Sequence, residues 1–484
     1  MASTVPRAAE AEHPRGARAA ISLVAAGFEP LTEPDAVTGE GDGPLDWPGY
    51  ACDRVRAARV SGEDESVLCG TARIGAHTVV VISFDFRYIG GSIGQRAGAL
   101  ICRALAEARD RRCPVVSLIA TGGSRMQEGM HSLRQLQRIA AECSRNAIMG
   151  IPHIAVLRNP TVGGLWASLG AGADFVVALQ EATVAFAGRR VRGDHEDTDD
   201  FRAEGKYRTG QVDLLVNPAD VRRVVADLVE LLAPAAGRRL ADGVPAPVPR
   251  ALGCTDLPRD GWTAVRHARD PDRPRAAAYL DDYFTTRVSI SGDRAGGVDT
   301  GMLCGIGRRD GRIMAYAAQT GTANTPAGFR TATRLVQLAD RLGIPVLTLV
   351  DTPGAANDES AELTGIGPAI AGLFAATASA RVPLTTLVIG EGGSGGALAL
   401  SSPDRLWITP DGYFAVIAPH AAAAILKRDE TDVPALAAQF RLRPQDLLED
   451  GMVSGIAGST VVALNQTDEY ATNMGAATPG MEGL

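Results

Sequence analysis

Two segments of the chain share one order of apolar and polar positions. Each opens with apolar residues at three- and four-residue spacing, "QRAGALICRALAEARDRR" in the first segment and "FRTATRLVQLADRL" in the second. This spacing is typical of an amphipathic helix. Each predicted helix is followed by a short apolar run that ends in a turn, "RRCPVVSLIATGG" and "LGIPVLTLVDTPG". The length of these runs and the turn residues at their ends indicate buried strands.

A second strand and a glycine turn follow in both segments, "IPHIAVLRNPTVGGLWASLG" and "VPLTTLVIGEGGSGGALALS". The distances agree, since Pro114 precedes Gly163 by 49 residues and Pro345 precedes Gly395 by 50. Further strand pairs come next, in "DFVVALQEATVAFAG" and "DRLWITPDGYFAVIAP". A repeat of this length predicts an α/β protein with two copies of one ββα unit rather than one large sheet.

The composition between and around the repeats predicts the domain boundaries. Residues 232–253 are rich in proline, alanine and glycine, as an exposed linker would be. The first twenty residues lack the apolar core of a signal peptide, and we expect a disordered leader there. The predicted division is a leader at 1–20, a first domain at 21–231, a linker at 232–258, a second domain at 259–460 and a tail at 461–484.

Composition and charge narrow the function. The 484 residues carry a formal net charge of −8, which argues against nucleic acid as the main partner. No apolar run reaches the ~18 residues of a membrane span. The seven cysteines form no CxxC pair and suit reduced thiols in a cytoplasm. The histidines are isolated, so no metal site is predicted.

The two glycine turns are the candidate catalytic elements, Gly163–Gly164 in the first domain and Gly395–Gly396 in the second. A strand that passes through glycines into a helix leaves backbone N–H groups without partners. Such donors can stabilise an oxyanion, and each contributes about 3 kcal/mol in a transition state. The alternative is that glycine only permits close packing of helix and strand. Repetition at matching places favours the catalytic interpretation.

Two further segments are candidates for substrate binding. In "TGGSRMQEG", Gly122 and Gly123 form a third turn, which with Ser124 and Arg125 either shapes a substrate cleft or merely ends a strand. In "RHARDPDRP", three arginines follow the linker and can hold the phosphates of a nucleotide, although an ordinary basic surface has the same spacing. These arginines are Arg266, Arg269 and Arg273.

Two rival motifs overlap the second glycine turn. Gly390, Gly392 and Gly395 match the dinucleotide fingerprint G-x-G-x-x-G, but this needs a βαβ unit. A hairpin turn at 411–412 is expected instead. The string "GGSGG" also matches the G-x-S-x-G nucleophile elbow around Ser394, and Asp411 and His420 follow it. A serine hydrolase therefore stays open as a rival function.

The chain resembles the carboxyltransferase of acetyl-CoA carboxylase. The first half is similar to the β subunit through "FDFRYIGGSIG", "ATGGSRMQEG", "NPTVGG" and "ATVAFAGRRV". The second half is similar to the α subunit through "HARDPDRP", "LVDTPGA" and "VIGEGGSGGALAL". The similarity extends from about Thr71 to Ser454 and implies a fusion in the order β then α. The four-cysteine zinc ribbon common in β subunits is absent.

This resemblance implies tandem crotonase-like (ClpP/crotonase) spiral domains with the active site between domains, often across a homodimer or higher homo-oligomer. It implies carboxyl transfer from biotin, held on a separate biotin carboxyl carrier protein and charged by a biotin carboxylase, to an acyl-CoA such as acetyl-CoA. One glycine turn would stabilise the thioester enolate and the other the ureido oxygen. Decarboxylation of a malonyl-type thioester and a non-catalytic scaffold are the remaining alternatives.

Overall fold

The repeat is built as two eight-stranded sheets. The computed structural model describes residues 16–31, 41–188, 198–233 and 243–458. The first half contains strands β1 Ala26–Pro30, β2 Val67–Ile74, β3 His77–Phe84, β4 Val115–Thr121, β5 His153–Val162, β6 Phe175–Leu179, β7 Val184–Ala185 and β8 Leu214–Val216. Its helices are α1 Ala17–Val24, α2 Tyr50–Ser61, α3 Gln95–Arg111, α4 Gly129–Ile148, α5 Ala203–Arg208 and α6 Val221–Leu232.

The second half repeats the arrangement after the linker. Its strands are β9 Thr286–Ile290, β10 Met302–Arg309, β11 Arg312–Gln319, β12 Val346–Thr352, β13 Leu384–Gly393, β14 Leu406–Ile408, β15 Tyr413–Ala415 and β16 Gly455–Ile456. Its helices are α7 Gly261–Arg269, α8 Ala276–Tyr283, α9 Pro326–Leu342, α10 Glu359–Leu363, α11 Ile366–Ser379, α12 Ser394–Leu398, α13 Pro419–Ile425, α14 Val433–Gln439 and α15 Pro444–Glu449.

Both sheets have the same topology. The strand orders are β1-β2-β3-β4-β5-β6-β8 and β9-β10-β11-β12-β13-β14-β16. In each sheet the first three strands are antiparallel and the remaining strands are parallel. The helices predicted from periodicity are α3 and α9, and the predicted apolar runs are β4, β5, β12 and β13. The prediction of two repeated units is confirmed.

The prediction of a hairpin at 411–412 is wrong. Strands β14 and β15 do not pair with each other, because both lie parallel to β13. The ten residues of β13 leave room for two short strands in succession along one edge. The turn between them carries the chain onward instead of reversing it, and β6 and β7 follow β5 in the same way.

The structure moves one predicted boundary. Helix α1 begins at Ala17, inside the expected leader, and Ala17 and Ala20 are buried. The backbone N–H of Ala17 donates to the buried carboxylate of Asp85 at 3.0 Å, which ties this helix to the first domain. The described part of the linker, 243–258, contains no helix or strand. Residues 1–15 and the predicted tail at 461–484 lie outside the described residues.

One apolar core joins the two halves. It contains Val81 and Ile154 of the first sheet, Ile306 and Ala317 of the second, and Leu335 of α9 between them. Separate clusters cover the outer face of each sheet. All seven cysteines are free thiols. Within the described ranges no helix combines the length and the apolarity needed to cross a membrane.

Asp213 fixes the contact between the halves electrostatically. Its side chain is fully buried beside β8 and accepts four hydrogen bonds. One comes from the N–H of Val176 in its own half at 2.9 Å. The other three come from the second half, from the N–H of Ser291 at 3.2 Å and from the guanidinium groups of Arg294 at 2.5 Å and Arg334 at 2.7 Å.

We expect Asp213→Asn to lower the free energy of unfolding by about 3–5 kcal/mol, because two partly buried guanidinium groups lose their fully buried counter-charge. Urea denaturation followed by circular dichroism measures this. The matched control is Asp220→Asn, whose ion pair with Arg223 is exposed on both sides and should change stability by less than about 0.5 kcal/mol. Equal effects of the two substitutions would contradict the role of Asp213.

Candidate active site

Strands β5 and β13 each end in one residue with left-handed backbone that turns the chain into a helical segment. In the first half this residue is Gly163, with φ +83°, and in the second it is Ser394, with φ +54°. In both sheets it comes two positions after the last residue aligned with the preceding strand. The two turns are therefore structurally equivalent.

This equivalence corrects the pairing of the glycines by one residue. Sequence spacing pairs Gly163 with Gly395, whereas the structure pairs Gly163 with Ser394 and Gly164 with Gly395. Serine rarely adopts positive φ, so the sequence alone pointed to the glycine beside it. The first backbone N–H groups after each turn have no acceptor within the helix that follows.

The turn after the preceding strand is also repeated. The N–H of Gly123 donates to Oγ1 of Thr121 at 3.0 Å, and the N–H of Gly354 donates to Oγ1 of Thr352 at 3.1 Å. Both glycines have positive φ, +103° and +137°. The buried threonines hold these turns against the glycine turns, a role that sequence reasoning missed. Their position at the end of an apolar run, just before the turn, was the available signal.

Close packing explains two of the four predicted catalytic glycines. A Cβ atom on Gly163 would lie 2.8 Å from the Cα of Gly123. A Cβ atom on Gly396 would lie 2.6 Å from the backbone nitrogen of Ala355. Real Cβ atoms do not approach backbone so closely, so glycine is needed at both positions because of the turn that packs against it.

The other two glycines do not touch the neighbouring turn. A Cβ atom on Gly395 would meet no atom within 4 Å, whereas one on Gly164 would clash with the side chain of Leu136. Both residues are partly exposed. A ligand can therefore approach the backbone at Gly395, which also lines a pocket, whereas Leu136 packs against the equivalent Gly164.

Each glycine turn adjoins a cleft. The first-half cleft has a volume of about 870 Å³ and includes Gly122, Ser124, Asn159, Val162 and Thr183 in its walls. The second-half pocket has a volume of about 360 Å³. Its walls are mostly apolar and consist of Ser394, Gly395, Leu398, Leu406, Phe414, Ala415, Val416, Leu447, Met452 and Val453.

Arg125, predicted to bind a substrate, borders the first-half cleft, but a buried ion pair holds its guanidinium group. Its side chain is 1% exposed and donates to Glu65 at 2.5 Å and to the hydroxyl of Tyr50 at 3.1 Å. Burial alone would raise the pKa of Glu65, but the charge of Arg125 outweighs it and holds that pKa below its usual value. Arg125 thus anchors the loop that carries Ser124 into the cleft.

The three arginines after the linker have three different environments. Arg273 is buried and donates to Asp351 at 2.5 Å and to the carbonyl of Ile389 at 3.2 Å, so its predicted contact with phosphates is not available. Arg269 is exposed but pairs with Glu391 at 2.9 Å. Arg266 is exposed and remains accessible to a ligand. The spacing did not reveal that one side chain turns inward.

Glu391 is a further residue of this site that sequence reasoning missed. It accepts hydrogen bonds from Arg269 and, at 2.5 Å, from the hydroxyl of Tyr413. Burial and the negative charge of Glu391 raise the pKa of Tyr413. The network fixes β15 beside β13, just before the glycine turn. A charged residue inside the apolar run "TLVIGEGG" was the signal that could have found it.

The rival motifs lack their structural context. Gly390 and Gly392 lie inside β13, so they form no phosphate-binding loop. His420 contacts Arg269, and its ring packs against Trp262 at a tilt of 59°. Asp411 accepts a backbone N–H of the linker at 2.9 Å. No hydrogen bond from His420 or Asp411 to Ser394 occurs in the described part of the chain, so the expected hydrolase triad is not assembled.

Comparisons with known proteins agree with this architecture. Residues 51–195 match the family described as "Carboxyl transferase domain", and residues 258–478 match "Acetyl co-enzyme A carboxylase carboxyltransferase-like". A protein of Salinispora arenicola named "Acetyl-coenzyme A carboxylase carboxyl transferase subunits beta/alpha" is 39% identical over 83% of this chain and 75% of its own. The "Probable biotin-dependent acyl-coenzyme A carboxylase beta3 subunit" of Mycobacterium tuberculosis is 32% identical over 88% and 86%.

Solved structures share the fold. A crystal structure of transcarboxylase 12S aligns with a TM-score of 0.72 at 19% identity and covers 91% of this chain and 86% of that one. A single-chain, multi-domain long-chain acyl-CoA carboxylase aligns with a TM-score of 0.70 at 17% identity, over 91% and 44%. The two domains are thus of the crotonase type, as expected.

The two family matches and the similar proteins define a carboxyltransferase. The chain belongs to the carboxyl transferase family, with a β-type half followed by an α-type half. The resemblance inferred from the sequence is confirmed.

Neighbouring glycines of the second turn should respond differently to alanine. We expect Gly396→Ala to destabilise the protein by about 1–3 kcal/mol, since its Cβ would strike backbone. Gly395→Ala has open space and should leave stability unchanged within about 0.5 kcal/mol. Urea denaturation midpoints of the two variants measure the difference. A stable Gly396→Ala protein would show that packing against the Gly354–Ala355 turn does not require glycine.

Proposed function

We propose that this protein transfers a carboxyl group from carboxybiotin, carried on a separate biotin carboxyl carrier protein, to acetyl-CoA to form malonyl-CoA. The observation that carries the proposal is the pair of equivalent turns, at Gly163–Gly164 and Ser394–Gly395, each of which adjoins a cleft: Val162, just before the first turn, lines one cleft, and Gly395 lines the other. Two oxyanions develop in this reaction, and two matching sets of donors meet that need.

The reaction requires little from side chains. Loss of CO2 from carboxybiotin leaves negative charge on the ureido group, and the ureido nitrogen takes the α-proton of acetyl-CoA. The resulting enolate carbon attacks the CO2, which forms the new carbon–carbon bond. One turn stabilises the ureido oxygen and the other the thioester enolate oxygen. Closure of the clefts to water would protect both intermediates.

The two clefts differ in a way that suggests which reactant each one binds. The second-half pocket is small and apolar, with Leu398, Phe414 and Met452 in its walls. Such a pocket suits the compact bicyclic ring of biotin, with the ureido group at the glycine turn. The first-half cleft is larger and has polar groups such as Ser124 and Asn159. It suits the longer, polar thioester arm of the CoA ester.

Partners follow from the same chemistry. Carboxybiotin must be supplied by a biotin carboxylase through the carrier protein. We also propose a homo-oligomer, because contact with another subunit would bury large apolar side chains that are exposed in the single chain. Examples are Met130 and Phe186 in one half and Val416 and Ile425 in the other. The relative transcarboxylase 12S is described as a hexamer. The seven free thiols support a cytoplasmic location.

The reverse reaction tests the proposal directly. We expect the purified protein to convert malonyl-CoA to acetyl-CoA when free biotin is added, and not without it, because biotin must accept the carboxyl group. Mass spectrometry of the CoA esters measures the conversion. Acetyl-CoA formation without biotin would identify a malonyl-thioester decarboxylase, and no turnover with any acyl-CoA would favour a scaffold.

A glycine variant tests the role of the second turn in the same assay. The side chain of Gly395→Val has open space and should leave the fold intact. It blocks approach to the turn, so we expect kcat to fall by about 10²-fold or more. Wild-type activity in this variant would contradict the role of the turn in the reaction.

Paired methionine substitutions test the division between the clefts. Met452 lines the second-half pocket and Met126 the first-half cleft, and both are exposed. We expect Met452→Glu to raise the KM for biotin several-fold and to leave the KM for malonyl-CoA unchanged, since a charge disfavours an apolar ring. Met126→Glu should do the reverse, because it repels the CoA phosphates. The opposite pattern in steady-state kinetics would exchange the two assignments.

A further inference from the structure

Three potential metal ligands that belong to neither glycine turn lie close together where the linker meets the second half. The Sγ of Cys254, a ring nitrogen of His267 and a carboxylate oxygen of Asp411 all lie within 4.8 Å of one another. Cys254 belongs to the linker, His267 to the last turn of α7, and Asp411 to the turn between β14 and β15.

Two of these groups lack the partners that buried polar groups normally have. The Nδ1 atom of His267 is buried without a hydrogen-bond partner. Asp411 is 5% exposed. Its only hydrogen bond within the described ranges comes from the backbone N–H of Cys254 at 2.9 Å. A buried carboxylate and an unpaired imidazole nitrogen are each unfavourable, and a bound cation would satisfy both.

We propose that Cys254, His267 and Asp411 bind a zinc-class divalent metal ion. Thiolate, imidazole and carboxylate together are typical ligands of Zn²⁺ and exclude the oxygen-only sites that Mg²⁺ and Ca²⁺ prefer. Zinc bonds of about 2.0–2.3 Å place tetrahedral ligand atoms roughly 3.3–3.8 Å apart. Side-chain rotations that move each atom by about an ångström complete the cage. The exposed Cys254 leaves a route for the ion and for a water in the fourth position.

The mutual distances favour a metal cage over a nucleophilic triad. A Cys–His–Asp triad is a chain, in which the imidazole lies between thiol and carboxylate. Here each ligand atom, the Sγ of Cys254 included, lies within 4.8 Å of the other two, and the carboxylate accepts the N–H of the cysteine itself. The bound ion would join the linker to α7 and to the turn that leads into β15. This is a structural role, independent of the proposed carboxyl transfer.

Cysteine protection in the unmodified protein tests the site. Cys254 and Cys52 are the two exposed cysteines and provide an internal comparison. We expect one equivalent of Zn²⁺ to slow alkylation of Cys254 by iodoacetamide at least about tenfold, with no change at Cys52. Peptide mass spectrometry measures both rates. Equal alkylation of Cys254 with and without Zn²⁺ would overturn the proposal.

Cobalt spectroscopy identifies the ligands. We expect Co²⁺ to give a thiolate-to-metal charge-transfer absorption that saturates at one equivalent. Cys254→Ser should abolish this band, His267→Ala should weaken Co²⁺ affinity at least about tenfold, and Cys52→Ser should leave it unchanged. No band with the wild-type protein, or an unchanged band in Cys254→Ser, would contradict the site. If a variant fails to fold by circular dichroism, the alkylation result on the unmodified protein decides.

Discussion

Backbone contact between two consecutive turns is the constraint on which both candidate sites depend. In each half, the turn after one parallel strand packs against the turn after the next, so closely that Gly163 and Gly396 have no room for a Cβ atom. Hydrogen bonds within the first of the two turns stabilise the same contact. Thr121 accepts the N–H of Gly123, and Thr352 accepts the N–H of Gly354. Because the contact is steric and repeated, it fixes the position of the strand ends without any bound ligand.

This packing separates two roles that a glycine pair can have. Glycines that touch the neighbouring turn hold the backbone in place, and the other glycine of each pair does not make that contact; at Gly395 it leaves the backbone open to a ligand. Packing and chemistry are therefore not alternatives here. In each pair one glycine fixes the backbone conformation of the turn, and the other is a partly exposed position on the same turn. Ser394 shows the strength of the constraint, because a residue with a side chain is held at a left-handed φ of +54°.

Sequence patterns predicted the repeated strands and the glycine turns, because apolar runs and glycines are local signals. They did not predict details that depend on contacts across the fold. Arg125 and Arg273 look like surface cations in the sequence, but each meets a buried carboxylate from a distant segment, Glu65 or Asp351. The parallel placement of β14 and β15 likewise depends on the length of β13, which no turn motif reveals.

The candidate metal site shows most clearly that sequence patterns do not reveal contacts across the fold. It consists of Cys254, His267 and Asp411. These residues lie 13 and 144 positions apart, so no ligand spacing appears in the sequence. Only the fold places the linker against α7 and the turn before β15. That turn leads directly to Tyr413, which binds Glu391 beside the second glycine turn. A metal ion at this point would therefore stabilise the linker and, through β15, one wall of the apolar pocket.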